Sequence, residues 1–184
     1  ALDAADARVP LSTPLSAKCA TRLADGVAHP GPEALAAAGI RELWEETGLM
    51  LGAPGVWRTP VPDGWQGFAD AGRLPTGADM HFVFRAITPP GRPRRFDARF
   101  FLVDAGALHG DPDDFSRASD ELSHLQWVAL DQARRFDLPF ITEVVLAEVS
   151  GALPDIGTPS AVPFFNNSDE ASLFERLAGR SPLG

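Results

Sequence analysis

The chain has 184 residues, 45% of them hydrophobic, with a net charge of −9 and a pI near 4.8. That length and apolar content suit a single domain, residues 1–184, with a filled core. The acidity argues against nucleic acid or an anionic membrane as a partner held by bulk charge, though an anionic small molecule remains compatible if a bound cation reverses the local sign.

In chain order, the first well-marked element is a helix over residues 32–47. Gly31 suits the N-cap and Pro32 the first helical position, where a missing N–H costs nothing. Ala34, Ala36, Ala37 and Ala38 are strong helix formers, and Gly48 stands where a left-handed C-terminal residue is wanted. Leu35, Gly39 and Leu43, with Ile40 or Trp44, are expected to face the core. Val56–Thr59 reads as a short strand and residues 60–79 as a long loop. Met80–Ile87 and Arg99–Val103 read as strands rich in Phe, Val and Ile, separated by Thr88-Pro89-Pro90-Gly91-Arg92-Pro93. An acidic loop over Gly106–Ser119 precedes a strand over Glu121–Val128. Leu130–Arg135 and Pro139–Val149 read as helical. The tail from Gly151 reads as an extension with a short helix at Glu170–Leu177.

The chemistry concentrates in Arg41-Glu42-Leu43-Trp44-Glu45-Glu46-Thr47-Gly48-Leu49. On a helix turning about 100° per residue, Glu42, Glu45 and Glu46 fall within an arc of roughly 100°. Carboxylates that close repel one another. A hard divalent cation such as Mg²⁺ or Mn²⁺ removes the repulsion and accepts oxygen ligands. The competing interpretation is a solvated acidic helix face carrying an Arg41–Glu45 i,i+4 pair worth a few tenths of a kcal/mol.

With Glu33 eight positions before Arg41, this stretch resembles the Nudix box, a Glu followed after seven residues by Arg-Glu-aliphatic-any-Glu-Glu-any-Gly-aliphatic. Six fixed positions match by chance roughly once in ten million starts at ordinary residue abundance. The resemblance implies a Nudix-type α/β/α sandwich with a mixed sheet, a class intermediate between α/β and α+β. It also implies Mg²⁺ or Mn²⁺ on Glu42, Glu45 and Glu46, and Arg41 orienting those carboxylates through Glu45. The box residues are then Glu33, Arg41, Glu42, Glu45, Glu46 and Gly48, with Glu33 in the loop entering the helix. The box's leading Gly is expected at position 27, which is Val27. Ala1-Leu2-Asp3-Ala4-Ala5-Asp6 instead resembles the segment after a Phe-Pro-Gly-Gly stretch in a long-insertion subgroup that includes peroxisomal coenzyme A diphosphatases and bacterial relatives. On that basis residues 8–30 are an insertion within the box, and the Gly pair and first strands lie upstream of Ala1. Residues 80–149 resemble the subgroup more loosely.

The implied activity is metal-dependent hydrolysis of a pyrophosphate linkage in a nucleoside diphosphate joined to another group, with coenzyme A or an acyl derivative favoured. A small-molecule nucleotide substrate is thus the expected partner, and family habit makes a homodimer an expectation. The alternative is a non-catalytic Nudix-fold ligand-binding or sensor module. A structural domain with an acidic helix face is a third. General-base candidates are the box glutamates, Glu45 among them, and Glu121 at the start of the last main strand. Arg94 and Arg95 could clamp phosphate through guanidinium geometry, or one could pair with Asp97. His29, His81, His109 and His124 form no recognisable catalytic or metal pattern. Cys19 is the only cysteine, which excludes an intrachain disulfide and suits a reducing, cytoplasmic setting. Its expected role is that of a bystander thiol. No apolar run approaches the roughly 20 residues that span a bilayer, and no signal peptide is evident.

Overall fold

A computed structural model of the chain describes residues 2–27, 29–91, 93–119, 124–155, 157, 159–167 and 173–177. The class is α+β. The main elements follow the order α1 (Ala17–Leu23), α2 (Pro32–Thr47), β1 (Gly52–Pro54), α3 (Gln66–Asp70), β2 (Arg73–Pro75), β3 (His81–Ile87), β4 (Asp97–Leu102), α4 (Phe140–Ala152), β5 (Val162–Asn166) and β6 (Leu173–Leu177). A small antiparallel sheet joins β1 to β2, and a mixed open sheet runs β4-β3-β5-β6 with β3 and β5 parallel. Among the described residues no helix is long and apolar enough to cross a membrane.

A bulge organises the main sheet. Phe82 and Phe84 are two apart and would ordinarily share a face. The register shifts between them, so Phe82 pairs with Phe101 while Phe84 pairs with Phe100. One extra residue reverses the alternation. Phe82 therefore enters the larger core with Ile40, Met80, Trp65, Phe68 and Val162. Phe84 enters a second cluster with Ala86 and Val145, against which Ile141, Val144 and Phe100 pack. Helices thus cover both faces of the sheet, α1 and α2 on the first and α4 on the second. Each fully buried Phe stabilises this arrangement by about 1.5–3 kcal/mol.

The helix α2 follows its local signals. Gly31 is its N-cap and Pro32 its first residue. Ala36 and Ala37 are fully buried. Small residues bring this face close to the sheet: a Cβ on Gly39 would lie 3.6 Å from the side chains of Met80 and Phe101. The helix ends at Gly48, whose φ of +73° only glycine adopts without strain. A Cβ there would also lie 2.7 Å from Arg117 Cβ, because the acidic loop docks on the helix end. Ser119 N–H donates to the Glu46 carbonyl (3.2 Å), and His109 N–H to that of Met50 (2.8 Å).

Several elements differ from the sequence expectations. Val56–Thr59 is not a strand: Val56 is 79% exposed, with no sheet to join. The first strand falls earlier, over β1, and the stretch read as a loop over 60–79 contains α3 and β2. Trp65 and Phe68 are fully buried there, packed with Trp44 and Trp57, and that aromatic cluster orders the segment. Within Glu121–Val128, residues 121–123 lie outside the described residues and 124–128 form no strand. Trp127 instead donates its indole N–H to the Pro112 carbonyl and packs on Phe115. Leu130–Arg135 holds only a 3-10 turn at Ala133–Arg135.

The segments read as accessory belong to the framework. Residues 8–30 supply α1 and bury Val9, Leu15, Cys19 and Leu23. The tail supplies β5 and β6, and β5 lies inside the sheet between β3 and β6. Leu173–Leu177 is a strand rather than a helix, while 170–172 lie outside the described residues. Pro163 hid β5, since a residue without an N–H argues against a central strand.

Gly48→Ala is expected to destabilise the fold by about 1–3 kcal/mol through the left-handed backbone alone, with the Arg117 contact adding to it. Urea unfolding checks this, and an unchanged midpoint would contradict it.

Candidate active site

The last two turns of α2 carry the acids, and one guanidinium organises them. Arg41 sits on the inner side of the acidic face, 8% exposed. Its Nε donates to Asp6 Oδ1 (3.0 Å) and its Nη2 to Asp6 Oδ2 (3.2 Å). Its Nη1 donates to Glu42 Oε1 (3.0 Å) and Glu45 Oε2 (2.7 Å). The expected Arg41–Glu45 pair is therefore present within a larger network. A planar fork with five donors makes this sharing geometrically natural. Its hydrogen bonds to Asp6 outweigh the effect of burial and hold Arg41 in its charged form still more firmly than usual.

Asp6 is the residue that sequence reasoning missed. It opens a 3-10 turn, Asp6–Arg8, and its carboxylate is fully buried. Oδ2 also accepts the Asp3 N–H (2.7 Å), and Asp3 Oδ1 accepts the Ala5 N–H (2.7 Å). Nearby, Val9 is buried in the core. The resemblance of residues 1–6 to the long-insertion subgroup covered Asp6 without giving it a role, and its partner stands 35 positions away.

Each box carboxylate has a distinct setting. Glu42 is partly exposed, and its pKa lies below the ordinary value. Burial pushes that pKa up, but the N-terminal amine first and Arg41 second more than offset it. Glu45 is exposed at the edge of a cavity of about 480 Å³, shared with Asp3, Arg8, Arg41, Asp63 and Gly64. The 61–64 loop forms its wall, and Gly64 lets that loop approach: a Cβ there would lie 2.8 Å from Glu45 Oε1. Glu46 is exposed too, but lines a different and mostly apolar cavity, of about 590 Å³, between α2 and β4.

The structure thus brings Arg41, Glu42 and Glu45 together, with Glu46 one residue further round the helix. In kind, these all-oxygen donors fit Mg²⁺ or Mn²⁺, and the convergence of Glu42 and Glu45 on one nitrogen puts two of them side by side. Among the described residues, no three acidic, His or Cys side chains are already gathered tightly enough to hold a metal ion.

Other candidates stand apart. Glu33 is in the first turn of α2, not in the preceding loop. Burial raises its pKa, opposed by a hydrogen bond from the Leu15 backbone. Arg94 and Arg95 lie in the β3–β4 connection and line neither cavity beside the box glutamates. Arg95 donates to the carbonyls of Thr88 (3.1 Å) and Asn167 (3.3 Å), a structural use. Asp97 pairs with Arg85 and Arg99 instead. Glu121 lies outside the described residues. Cys19 is fully buried, and burial pushes its thiol pKa up, the setting of an inert thiol.

Neither family models, nor curated proteins, nor solved structures give a match to this chain.

Arg41→Ala would leave the fully buried Asp6 carboxylate without its cation, and a loss of roughly 3–5 kcal/mol is expected in urea unfolding. A second expectation concerns pH. The folded pKa of Glu42 lies below the ordinary 4.5. Its stabilising contribution is therefore present above that value and disappears as pH falls through the lower folded value. Melting temperatures from about pH 6 to about pH 3 should fall less steeply for Glu42→Gln than for the unsubstituted protein. Equal slopes would show that Glu42 carries no such contribution.

Proposed function

We propose that the protein is a metal-dependent hydrolase of pyrophosphate linkages with a Nudix-type fold. The observation that carries this is the convergence of Glu42 and Glu45 on Arg41, with Glu46 adjacent, at the end of a helix whose sequence matches the box. Helices on both faces of a mixed sheet support the fold assignment. The proposed substrate class is a nucleoside diphosphate linked to another group. Coenzyme A or an acyl derivative is favoured on the subgroup resemblance alone.

Glu42, Glu45 and Glu46 would hold Mg²⁺ or Mn²⁺, with Glu46 joining through a change of rotamer that its exposed position permits. Such a cation, when bound, would neutralise the diphosphate oxygens and lower the pKa of the attacking water. Arg41 acts as a positioning residue: its guanidinium is occupied by the carboxylates of Asp6, Glu42 and Glu45. It holds one oxygen each of Glu42 and Glu45 and so fixes how their side chains are presented. Glu45, exposed beside the polar cavity, is placed to take a proton from water there, and a carboxylate in that role contributes about 10²–10⁴-fold. Arg8 at the same cavity offers a cation for a phosphate oxygen.

The test is a hydrolysis panel with Mg²⁺ or Mn²⁺ that includes coenzyme A, ADP-ribose and diadenosine polyphosphates. Chelation of the metal should abolish turnover. Glu46→Gln should retain the unsubstituted protein's circular dichroism while kcat falls by about 10²-fold or more. Turnover that persists in chelator, or an unchanged kcat in Glu46→Gln, would overturn the proposal.

A further inference from the structure

The buried partner of Arg41 has no part in the activity as proposed so far. Asp6 occupies two of the three nitrogens of the guanidinium, Nε and Nη2. Only Nη1 is directed at Glu42 and Glu45, and each offers it one oxygen. A bidentate carboxylate fixes the plane of a guanidinium as well as its position. The plane of Arg41 is therefore set from below by Asp6, and the acids above meet the fork in a single orientation.

We infer that Asp6 is a positioning residue for the cation site: by holding Nε and Nη2, it keeps Arg41 from folding its whole fork onto Glu42 and Glu45. The inference rests on the metal-dependent reading above. Without the Asp6 carboxylate, Nε and Nη2 lose their buried acceptors, and Glu42 and Glu45, already bonded to the same guanidinium through Nη1, are carboxylates within its reach. An arginine that engages both oxygens of a glutamate competes directly with a cation for them. The rigidity of Asp6 matters to this role. Its carboxylate is fully buried, and Oδ2 is further tied by the Asp3 N–H. The turn that carries it is closed by Asp6 N–H to the Asp3 carbonyl (3.1 Å) and Val9 N–H to the Asp6 carbonyl (3.3 Å). The 61–64 loop packs on the far side of the Arg41 stem, with a Cβ at Gly64 only 3.3 Å from Arg41 Cδ. The side chain thus runs between the turn and the loop, along the cavity they share with Glu45.

The experiment is calorimetric titration of the 184-residue protein with Mn²⁺ alone, for the unsubstituted chain and for Asp6→Asn, with thermal unfolding as a check on folding. Partners one step removed from a metal typically change affinity by 10–100-fold when lost. Arg41 is that partner here and Asp6 stands one step further out, so Asp6→Asn is expected to weaken Mn²⁺ binding by up to about 10-fold, to lower kcat and to leave KM for the substrate nearly unchanged. A folded Asp6→Asn protein that binds Mn²⁺ like the unsubstituted chain overturns the role of Asp6 while leaving the metal-dependent reading intact. If Asp6→Asn does not fold, Asp6→Glu decides the matter. It keeps the charge on a longer arm, so weakened Mn²⁺ binding supports the positioning role and unaltered binding overturns it. An unsubstituted protein that binds no Mn²⁺ overturns the metal-dependent reading itself, and this inference with it.

Discussion

One buried guanidinium ties the N-terminal turn to the acidic face of α2. Arg41 reaches from the middle of α2 to the N-terminal turn through Asp6 and along its own helix to Glu42 and Glu45. Desolvating such a charge is unfavourable, and a buried pair is weak evidence of net stabilisation. What the pair does provide is geometry. Two strong parallel hydrogen bonds allow few alternative arrangements, so the N-terminal turn, the helix and its acids occupy defined positions relative to one another. Loss of Arg41 leaves the buried Asp6 carboxylate uncompensated, and loss of Asp6 takes the acceptors from Nε and Nη2 of the guanidinium.

The surrounding fold serves that geometry through close approach. Ala36, Ala37 and Gly39 bring α2 onto the sheet, and the Phe82–Phe84 bulge lets one strand feed aromatic rings to cores on both faces. The aromatic group of Trp44, Trp57, Trp65 and Phe68 anchors the segment whose 61–64 loop closes over Glu45. At the other end, Gly48 permits the acidic loop to sit against the helix terminus. The acids of α2 are thus framed by two loops, each admitted by a glycine in a left-handed conformation, Gly64 and Gly48. A side chain at Gly48 would meet the Arg117 backbone and push its loop off the helix, and one at Gly64 would displace the Glu45 carboxylate.

The Gly31, Pro32 and Gly48 signals were legible because helix ends depend on backbone chemistry within a few residues, and α2 begins and ends where they indicate. The strands β3 and β4 and the helix α4 were legible to within a few residues because period-2 and period-3.6 patterns are local too. Val56–Thr59 misled because β-branched and aromatic residues favour a strand only where a partner strand exists. Val56 has none. The reverse error hid β5, where Pro163 and polar neighbours suggested a tail while Val162 and Phe164 were in fact core residues.

By itself, the sequence determined that a helix with an acidic face and an arginine among its acids would form at residues 32–47, because helical spacing alone dictates which side chains share a face. Only the tertiary structure decided that Asp6 lies beneath that arginine, that the 61–64 loop stands over Glu45, and that Glu45 and Glu46 open onto separate cavities. Those relations join residues tens of positions apart. They depend on how a packed core closes the chain on itself, and no local pattern of residues encodes them.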